Sequence, residues 1–574
     1  MMMAARIKKI LAKALEVLKL PVEKLALEHP DKSEHGDYST SVALVLFAQK
    51  VGNAANPFTL AQQIVDTLRS LGLPDYLAKI EVEKPGFINI WLKNETLISE
   101  VPRVIKEKNK YGMLTGKGEP VMVEFAHPNT HKQFHIGHLR NLCLGEAVSR
   151  LLAANGQKLV RANYQGDVGL HVAKCLWALQ RSRRQTPRSL DAKIAWLGQA
   201  YVKGNQAYEE DQAAKKQISL LNQKIYGENK EILSLWRQTR RWSLQYFDRI
   251  YQRLNTKFDR LYFESEVAEA GKQLVLKHPE IFVKSDGAVI FPGEKYGLHT
   301  RVFINQKGLP TYEAKDLGLA KLQFEEYRPR QVVHVVGPEQ RAYFQVLFQA
   351  LKQISPSTAG KEFHLAYGWV RLKEGKMASR TGQTVLGAWL LDEVKKRLQI
   401  NFRMTAAVAE KVAVGAVKYS LLKFNTISEI VFDIDESINL AGNSGPYLQY
   451  TFARCQSVLR KAKIAFVGAH HDAPVAAPAP EVVRGISAEE IAVLRTLYKF
   501  PEVVAEAGEK YAPNLVCNFL FELASAYNLF YNKQSILKAA PEERKQFRLV
   551  LTAAVAQVVR NGLNLLGIEA VEKM

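Results

Sequence analysis

The stretch Val121–Gly156, VMVEFAHPNTHKQFHIGHLRNLCLGEAVSRLLAANG, leaves few choices of fold. Val121 to Ala126 is a β-branched and apolar run, the pattern of a short buried strand. Pro128 and Asn129 break that strand and open a polar turn. Beyond the turn, Leu144, Val148, Leu151 and Leu152 recur at helical spacing, and Gly156 stands where a C-cap glycine belongs. Strand, turn and helix in that order aim backbone N–H groups and the positive end of a helix at an anion. In the turn lies His135-Ile136-Gly137-His138. Gly137 lets the backbone come close to a ligand, and the two imidazoles flank it as donors, which predicts a nucleotide site. A zinc site would need further Cys or His ligands at metal spacing, and none accompany this pair.

The chain has 574 residues, too many for one core, so roughly three or four domains are expected. It carries no apolar run of about 18 residues and hence no predicted membrane span. The opening MMMAARIKKILAKALEVLKL is basic and apolar but alternates at helical spacing, which predicts an amphipathic first helix rather than a targeting peptide. Cys143, Cys175, Cys455 and Cys517 are scattered without a CxxC pair. That speaks against a disulfide framework and a structural zinc and predicts a reducing, cytoplasmic setting. The formal net charge of +22 calls for a polyanionic partner such as nucleic acid.

Four regions follow from the pattern. Residues 1–112 read as an α+β unit with helices at Ile7–Leu18 and Thr59–Leu71, a strand at Gly86–Leu92 and a basic linker at Lys106–Lys110. On that strand Phe87 and Asn89 make one face aromatic and polar, suited to an RNA base. Residues 113–390 alternate strand and helix as in a doubly wound parallel sheet, a Rossmann-like catalytic domain. Its predicted strands are Val121–Ala126, Leu159–Asn163, Val302–Asn305, Val332–Val336 and Gly368–Leu372. A helical insertion spans about 170–270, with Leu244, Phe247, Tyr251, Leu254 and Phe258 as its apolar stripe and a basic patch at Arg181–Arg184. Residues 391–440 read as a helical connector and 441–574 as an α-helical bundle, interrupted by an Ala/Pro-rich loop at Ala465–Ala488 that holds His470 and His471.

A second motif, Lys376-Met377-Ala378-Ser379-Arg380, follows about 240 residues after the first. A glycine-flanked lysine there can meet the charge that builds on a departing pyrophosphate. The pair, in this order, resembles the HIGH and KMSKS signatures of the class I aminoacyl-tRNA synthetases. The string EFAHPNTHKQFHIGHLRN resembles the arginyl-tRNA synthetases in particular. GLPTYEAKD at Gly308–Asp316, FDRLYFESE at Phe258–Glu266, GNSGPYLQYTFAR at Gly442–Arg454, YNLFYN at Tyr527–Asn532 and the tail ending on Met574 agree, so the resemblance covers nearly the whole chain.

The resemblance implies an arginine–tRNA ligase. Arginine and ATP, with its Mg2+, would give arginyl-adenylate and pyrophosphate, and the arginyl group would pass to the terminal adenosine of tRNA-Arg. It implies ATP contacts from His135, Gly137, His138, Lys132, Lys376, Met377 and Ser379, a guanidinium pocket of Glu124, Tyr312 and Asp316, and α-amino contacts from Asn129 and Gln340. A planar fork of five donors needs carboxylates and a phenol so placed. It further implies tRNA contacts from Phe87, Asn89, Tyr447, Tyr450, Arg454, Tyr527, Tyr531 and Met574, a monomer, and tRNA-dependent activation. A pocket that hydrogen-bonds its substrate this fully rejects lysine or citrulline on the order of 10⁴-fold, with no editing domain.

The chain departs from the pattern in places. Ser379 stands where KMSKS has its second lysine, and Lys132, three residues before His135, is expected to supply that charge. Ala378 is also a departure, as is Tyr343-Phe344, where many relatives have His-Phe. A synthetase for another amino acid, such as cysteine, would lack Glu124 and Asp316 and carry zinc-ligand cysteines. A non-catalytic RNA-binding paralogue would lack intact His135, Gly137, His138 and Lys376.

Overall fold

The computed structural model describes residues 2–30, 32–116, 118–182, 185–227, 229–373, 385–462 and 485–574. Two helices, Met3–Val17 and Pro57–Ser70, cover an antiparallel sheet of β1 (Tyr38–Thr40), β2 (Leu77–Glu83) and β3 (Phe87–Leu92) in the order β1-β3-β2. The first helix is amphipathic as expected and buries Ile7, Leu11, Ala14 and Leu15. Asn56 caps the second, accepting from Thr59 N–H at 2.8 Å, with Pro57 at its first position.

The Lys106–Lys110 run is not a linker. Leu97, Ile98, Val101 and Val104 form a buried stripe that carries the helix Asn94–Glu107 through Lys106, and residues Lys108–Lys110 close it as a 3₁₀ turn. That turn rests on the helix Glu542–Leu565, where Asn561 Nδ2 donates to Lys108 O at 3.0 Å. The amino-terminal unit also docks on the helix Phe500–Glu509. Glu502 there accepts from Ala4 N–H at 2.7 Å and Tyr38 OH at 3.0 Å, and lies 3.0 Å from His29 Nε2.

In the catalytic domain, β4 (Val121–Glu124), β5 (Leu159–Gln165) and β6 (Arg260–Phe263) are followed by β7 (Val283–Ser285), β8 (Ala288–Phe291) and β9 (Arg301–Ile304). Then come β10 (Gln331–Val336), β11 (Glu362–Ala366), β12 (Val370–Leu372) and β13 (Ile430–Phe432). Five of them form one parallel sheet, in the order β11-β10-β4-β5-β6. The chain leaves β4 toward β5 on one side and returns to β10 on the other. The carboxyl ends of β4 and β10 are therefore the switch point at which a doubly wound sheet opens a crevice.

Two expected members of this sheet lie elsewhere. The Val302–Asn305 segment forms β9 in an antiparallel sheet with β7 and β8. Asp286-Gly287, both at positive φ, ties β7 to β8 as a two-residue hairpin, and β8 then recruits β9. The Gly368–Leu372 segment forms β12, which pairs in parallel with β13 outside the main sheet. The edge of the main sheet is instead β11, whose EFHLA sequence mixes polar and apolar residues and so lacks a buried-strand pattern. Between β5 and β6 the helices Leu170–Gln180, Leu190–Glu210, Gln212–Tyr226 and Lys230–Arg253 form the insertion. Phe258 lies beyond the last of these but still packs on Tyr251 and Phe125.

Helices Gly387–Phe402 and Ala406–Leu422 lead to the carboxyl-terminal bundle of Gly445–Lys461, Ala488–Leu497, Phe500–Glu509, Pro513–Lys533 and Glu542–Leu565. Ser487 and Glu490 form a capping box, and Glu490 pairs with buried Arg548 at 2.7 Å. Arg183, Arg184, His470, His471 and most of the Ala/Pro-rich loop lie outside the described residues.

The helices Glu264–Leu276 and Tyr312–Tyr327 meet backbone to backbone. A Cβ on Gly318 would lie 2.5 Å from Val267 O. The second helix carries Tyr312, Lys315 and Asp316, so this crossing sets where those side chains stand. Gly318→Ala is expected to destabilise the protein by roughly 1–3 kcal/mol through overpacking. Thermal unfolding checks it, and an unchanged Tm would refute the backbone contact.

Candidate active site

The segment joining β4 to the helix Ile136–Ala154 is held in unusual backbone conformations. Ala126, His127 and His131 have φ of 80°, 47° and 64°, a region L-residues rarely occupy and which clusters at functional sites. Surrounding groups hold each turn in place. Asn141 Oδ1 accepts from Ala126 N–H at 2.6 Å, Asn163 Oδ1 from His127 N–H at 3.2 Å, and Ser243 Oγ from His131 N–H at 3.0 Å. Asn129 pairs across to Gly166, next to the end of β5.

His135 and His138 cap the helix reciprocally. His135 Nδ1 accepts from Gly137 N–H at 3.1 Å, and His138 Nδ1 accepts from His135 N–H at 3.2 Å. Burial lowers both pKa values, His138 the further. Lys132 adds to this at both rings, after the neighbouring imidazoles in the case of His138. Each ring is thus neutral with Nδ1 occupied as acceptor, so its proton resides on Nε2. The turn presents two uncharged N–H donors, with ring centroids 3.7 Å apart. A Cβ on Gly137 would sit 3.0 Å from the His135 ring and press it out of place. At the far end Gly156 takes φ +78° just beyond the Asn155 C-cap.

Lys132 stands beside this turn, 4.9 Å from the Tyr201 ring of the insertion. Lys376, Met377 and Ser379 lie outside the described residues.

The end of β4 opens on an acidic pocket. Glu124 is buried, 3.0 Å from His334 Nδ1 on β10, and hydrogen-bonded by Gln323 Nε2. Burial pushes the Glu124 carboxyl up, but the His334 charge and hydrogen bond outweigh it and hold the group below its usual range. Asp316 accepts from Tyr343 OH at 2.5 Å. Burial, helped by Glu124 and Glu264 nearby, pushes Asp316 up to about 7. Lys315 pairs with Glu264, both buried, and its ammonium stands 4.3 Å over the Tyr312 ring. The Tyr164 hydroxyl is buried beside Asp316 and Glu264 with no hydrogen-bond partner among the described residues. A crowd of carboxylates with an idle phenol is a receptor for a cation rich in N–H donors.

The structure sets Asp316 near Glu124, whereas Tyr312, one helical turn before Asp316, is exposed and stands against the Lys315 ammonium. It puts Asn129 at the end of β5 and Gln340 just past β10, where it begins the helix Arg341–Ile354. The partners Gln323, His334, Glu362, Tyr343, Tyr164 and the Glu264–Lys315 pair were not foreseen. Of these only Tyr343 drew notice in the sequence, as the replacement for a family histidine.

In the bundle, the Arg454 guanidinium lies 4.9 Å from the Tyr450 ring and 4.7 Å from the Tyr531 ring. Asn528 holds it, accepting from Nη1 at 2.5 Å and donating to Tyr447 OH at 2.9 Å. Tyr527 differs from its expected surface role: it is fully buried, because its place on the helix Pro513–Lys533 faces the core. Met574 is half-buried against that core. In the amino-terminal unit Phe87 is exposed, whereas Asn89 is buried and bonded to Ser39 and Glu83. The expected polar face of that strand is therefore closed over Asn89 by its own neighbours.

A doubly wound sheet with a His-x-Gly-His turn at its switch point, a helical insertion and a helical bundle defines a class I tRNA synthetase. Residues 100–434 match the model of the class I tRNA synthetase (R) catalytic domain, 448–574 the DALR anticodon binding domain and 3–92 the arginyl tRNA synthetase N terminal domain. Among relatives, an arginine–tRNA ligase of Treponema denticola is 34% identical, with 97% of this chain and 96% of that one covered. One from Bacteroides thetaiotaomicron is 32% identical, with 98% of each covered. The Thermus thermophilus arginyl-tRNA synthetase structure superposes with a TM-score of 0.81 at 25% identity over all of both chains. The chain belongs to the arginyl-tRNA synthetases. It is an arginine–tRNA ligase with ATP as co-substrate.

Lys315→Met would leave Glu264 buried without its counter-charge, at an expected cost of about 3–5 kcal/mol. Pairing it with Glu264→Leu should recover most of that loss. Denaturant unfolding of the single and double variants decides: equal stabilities would show that the pair is not coupled.

Proposed function

We propose that the pocket at the ends of β4 and β10 takes the guanidinium of arginine on Glu124, Asp316 and Tyr312, with Asn129 and Gln340 on its α-amino group. The observation that carries this reading is that a buried acidic pocket opens from the same strand end as the two imidazole donors. His135 and His138 offer Nε2–H to the nucleotide, Gly137 admits it, and Lys132 places positive charge beside the turn. Lys376, Met377 and Ser379 join them on the phosphates of ATP, which enters as its magnesium complex. The arginine carboxylate attacks the α-phosphate in line and pyrophosphate leaves. The terminal ribose hydroxyl of tRNA-Arg then attacks the adenylate carbonyl. No protein nucleophile is needed, so the residues act by positioning and by fixed charge.

On the RNA side, Tyr450, Arg454 and Tyr531 form an exposed stacking platform for an unpaired anticodon base, with Tyr447 beneath it and Met574 on the same bundle. Tyr527 supports that platform from the core. Phe87 stacks on a tRNA loop, and Asn89 holds the strand that presents it. No described helix is long and apolar enough to cross a membrane. The surplus of positive charge suits an enzyme that binds tRNA, and the resemblance to the family is the ground for a cytoplasmic monomer.

Pyrophosphate exchange across the twenty amino acids, with and without tRNA, tests the reading. Exchange is expected with arginine only and only when tRNA is present; exchange with another amino acid, or with none, rejects it. Lys132→Ala is expected to slow arginyl-adenylate formation on the order of 100-fold, the usual effect of losing one transition-state charge contact. An undiminished rate would remove Lys132 from the nucleotide site.

A further inference from the structure

His334 has no part in the roles assigned above, yet it is the most tightly held ionisable group at the switch point. The parallel register of β4 and β10 sets it directly across from Glu124. Its Nδ1 lies 3.0 Å from Glu124 and its Nε2 lies 2.7 Å from Glu362 on β11, and all three side chains are buried. The rings of Phe344 and Phe348 flank it at 5.2 and 5.8 Å, so the imidazole cannot swing away. Since both nitrogens face carboxylates, both carry protons. Burial opposes that charge, but Glu124 and Glu362 together raise the pKa to about 10.

We infer that His334 is a positioning residue for arginine: braced by Glu362, it fixes the Glu124 carboxylate and supplies the buried counter-charge that keeps that carboxylate ionised at neutral pH. The inference rests on the pocket reading above. Four buried or half-buried carboxylates, Glu124, Asp316, Glu264 and Glu362, converge here against the cations of His334 and Lys315. Removing one cation pushes the remaining carboxylates toward their protonated forms, which cannot hold a guanidinium. The other groups facing His334 are His127 and His364, both kept below the usual imidazole range chiefly by burial. Those facing Asp316 are Tyr343, Tyr164 and Tyr312, with burial raising all three hydroxyls. None of them adds a second cation.

The sign of the pH effect follows. Asp316 is protonated below about pH 7 in the empty pocket, and a guanidinium binds its ionised form. The arginine KM of the native enzyme should therefore rise as pH falls through 7, with the ATP KM flat. His334→Asn keeps an amide donor at the Nδ1 position but removes the charge. Glu124, no longer held down by that charge, should titrate higher and move the midpoint of the arginine KM profile up by about 1 pH unit, with kcat at saturating arginine unchanged. Glu362→Gln removes a negative charge while Glu124 still keeps His334 protonated, so it should move the midpoint down.

The experiment is the pH profile of arginine KM and kcat in aminoacylation by the full-length native enzyme, His334→Asn, Glu362→Gln and Glu124→Gln. Opposite shifts for the first two variants support the inference, because general structural damage has no reason to change sign with charge. Native profiles in both overturn it, as do shifts of the same sign. If His334→Asn does not fold, the direction of the Glu362→Gln shift decides. Glu124→Gln separates the two levels: an unchanged arginine KM there sinks the pocket reading itself. A raised KM, with native profiles for the other two, sinks only the role of His334.

Discussion

The switch point between β4 and β10 is the constraint on which the rest of the structure depends. Only there do two adjacent parallel strands send their chains to opposite sides, so only there does the sheet open a crevice instead of a closed edge. The same register that creates the gap lines up Glu124 with His334 and ends β4 at the strained turn. Everything chemical is reached from that pair of strand ends. Glu124 begins the acidic pocket, His135 and His138 close the turn, and Gln340 starts the helix after β10. The helix crossing at Gly271 and Gly318 then carries Asp316 into the same crevice from the far side of the chain.

The local signals of this design were legible in the sequence. Strand, turn and helix at Val121–Gly156 declared themselves because a β-branched run, a proline, a glycine and a helical stripe lie in order within one short segment. The amino-terminal helices and most of the bundle were readable for the same reason. What escaped was decided by partners distant in sequence. β11 reads as EFHLA because its Glu362 is buried against His334, a pairing no local period reveals. β9 is apolar enough for a parallel strand, and only the Asp286-Gly287 hairpin beside it assigns it to another sheet. Tyr527 and Tyr531 stand a helical turn apart, yet one is core and the other surface, since that helix is apolar over most of its circumference. The proposed guanidinium pocket was drawn from family positions; the cations beside it, His334 and Lys315, became visible only when the strands and helices that bear them were brought together.

The RNA side depends on a different kind of contact. Arg454 keeps its charge at the surface while its plane lies between two tyrosine rings, which lowers the freedom it would lose on stacking against a base. Asn528 fixes both Arg454 and Tyr447, so the proposed platform is already held in place by the protein's own contacts. The amino-terminal unit is bound to the same bundle through Glu502, which gathers a backbone N–H, a phenol and an imidazole on one carboxylate. The proposed RNA contacts at Phe87 and Arg454 therefore belong to a single framework.

The division of charge within the active site has a physical logic. The two signature histidines are half-buried, and each spends its Nδ1 on a backbone N–H, so in the proposed mechanism they meet the nucleotide as neutral donors. In the proposed mechanism full positive charge is left to lysines, Lys132 beside the turn and Lys376 in the second motif, which meet the charge that builds on the leaving group. The acidic pocket reverses this arrangement for the amino acid: fixed carboxylates face a substrate whose charge does not change during the reaction. On the proposed reading, lysine charge serves the group that reacts, and buried carboxylates serve the group that must only be recognised.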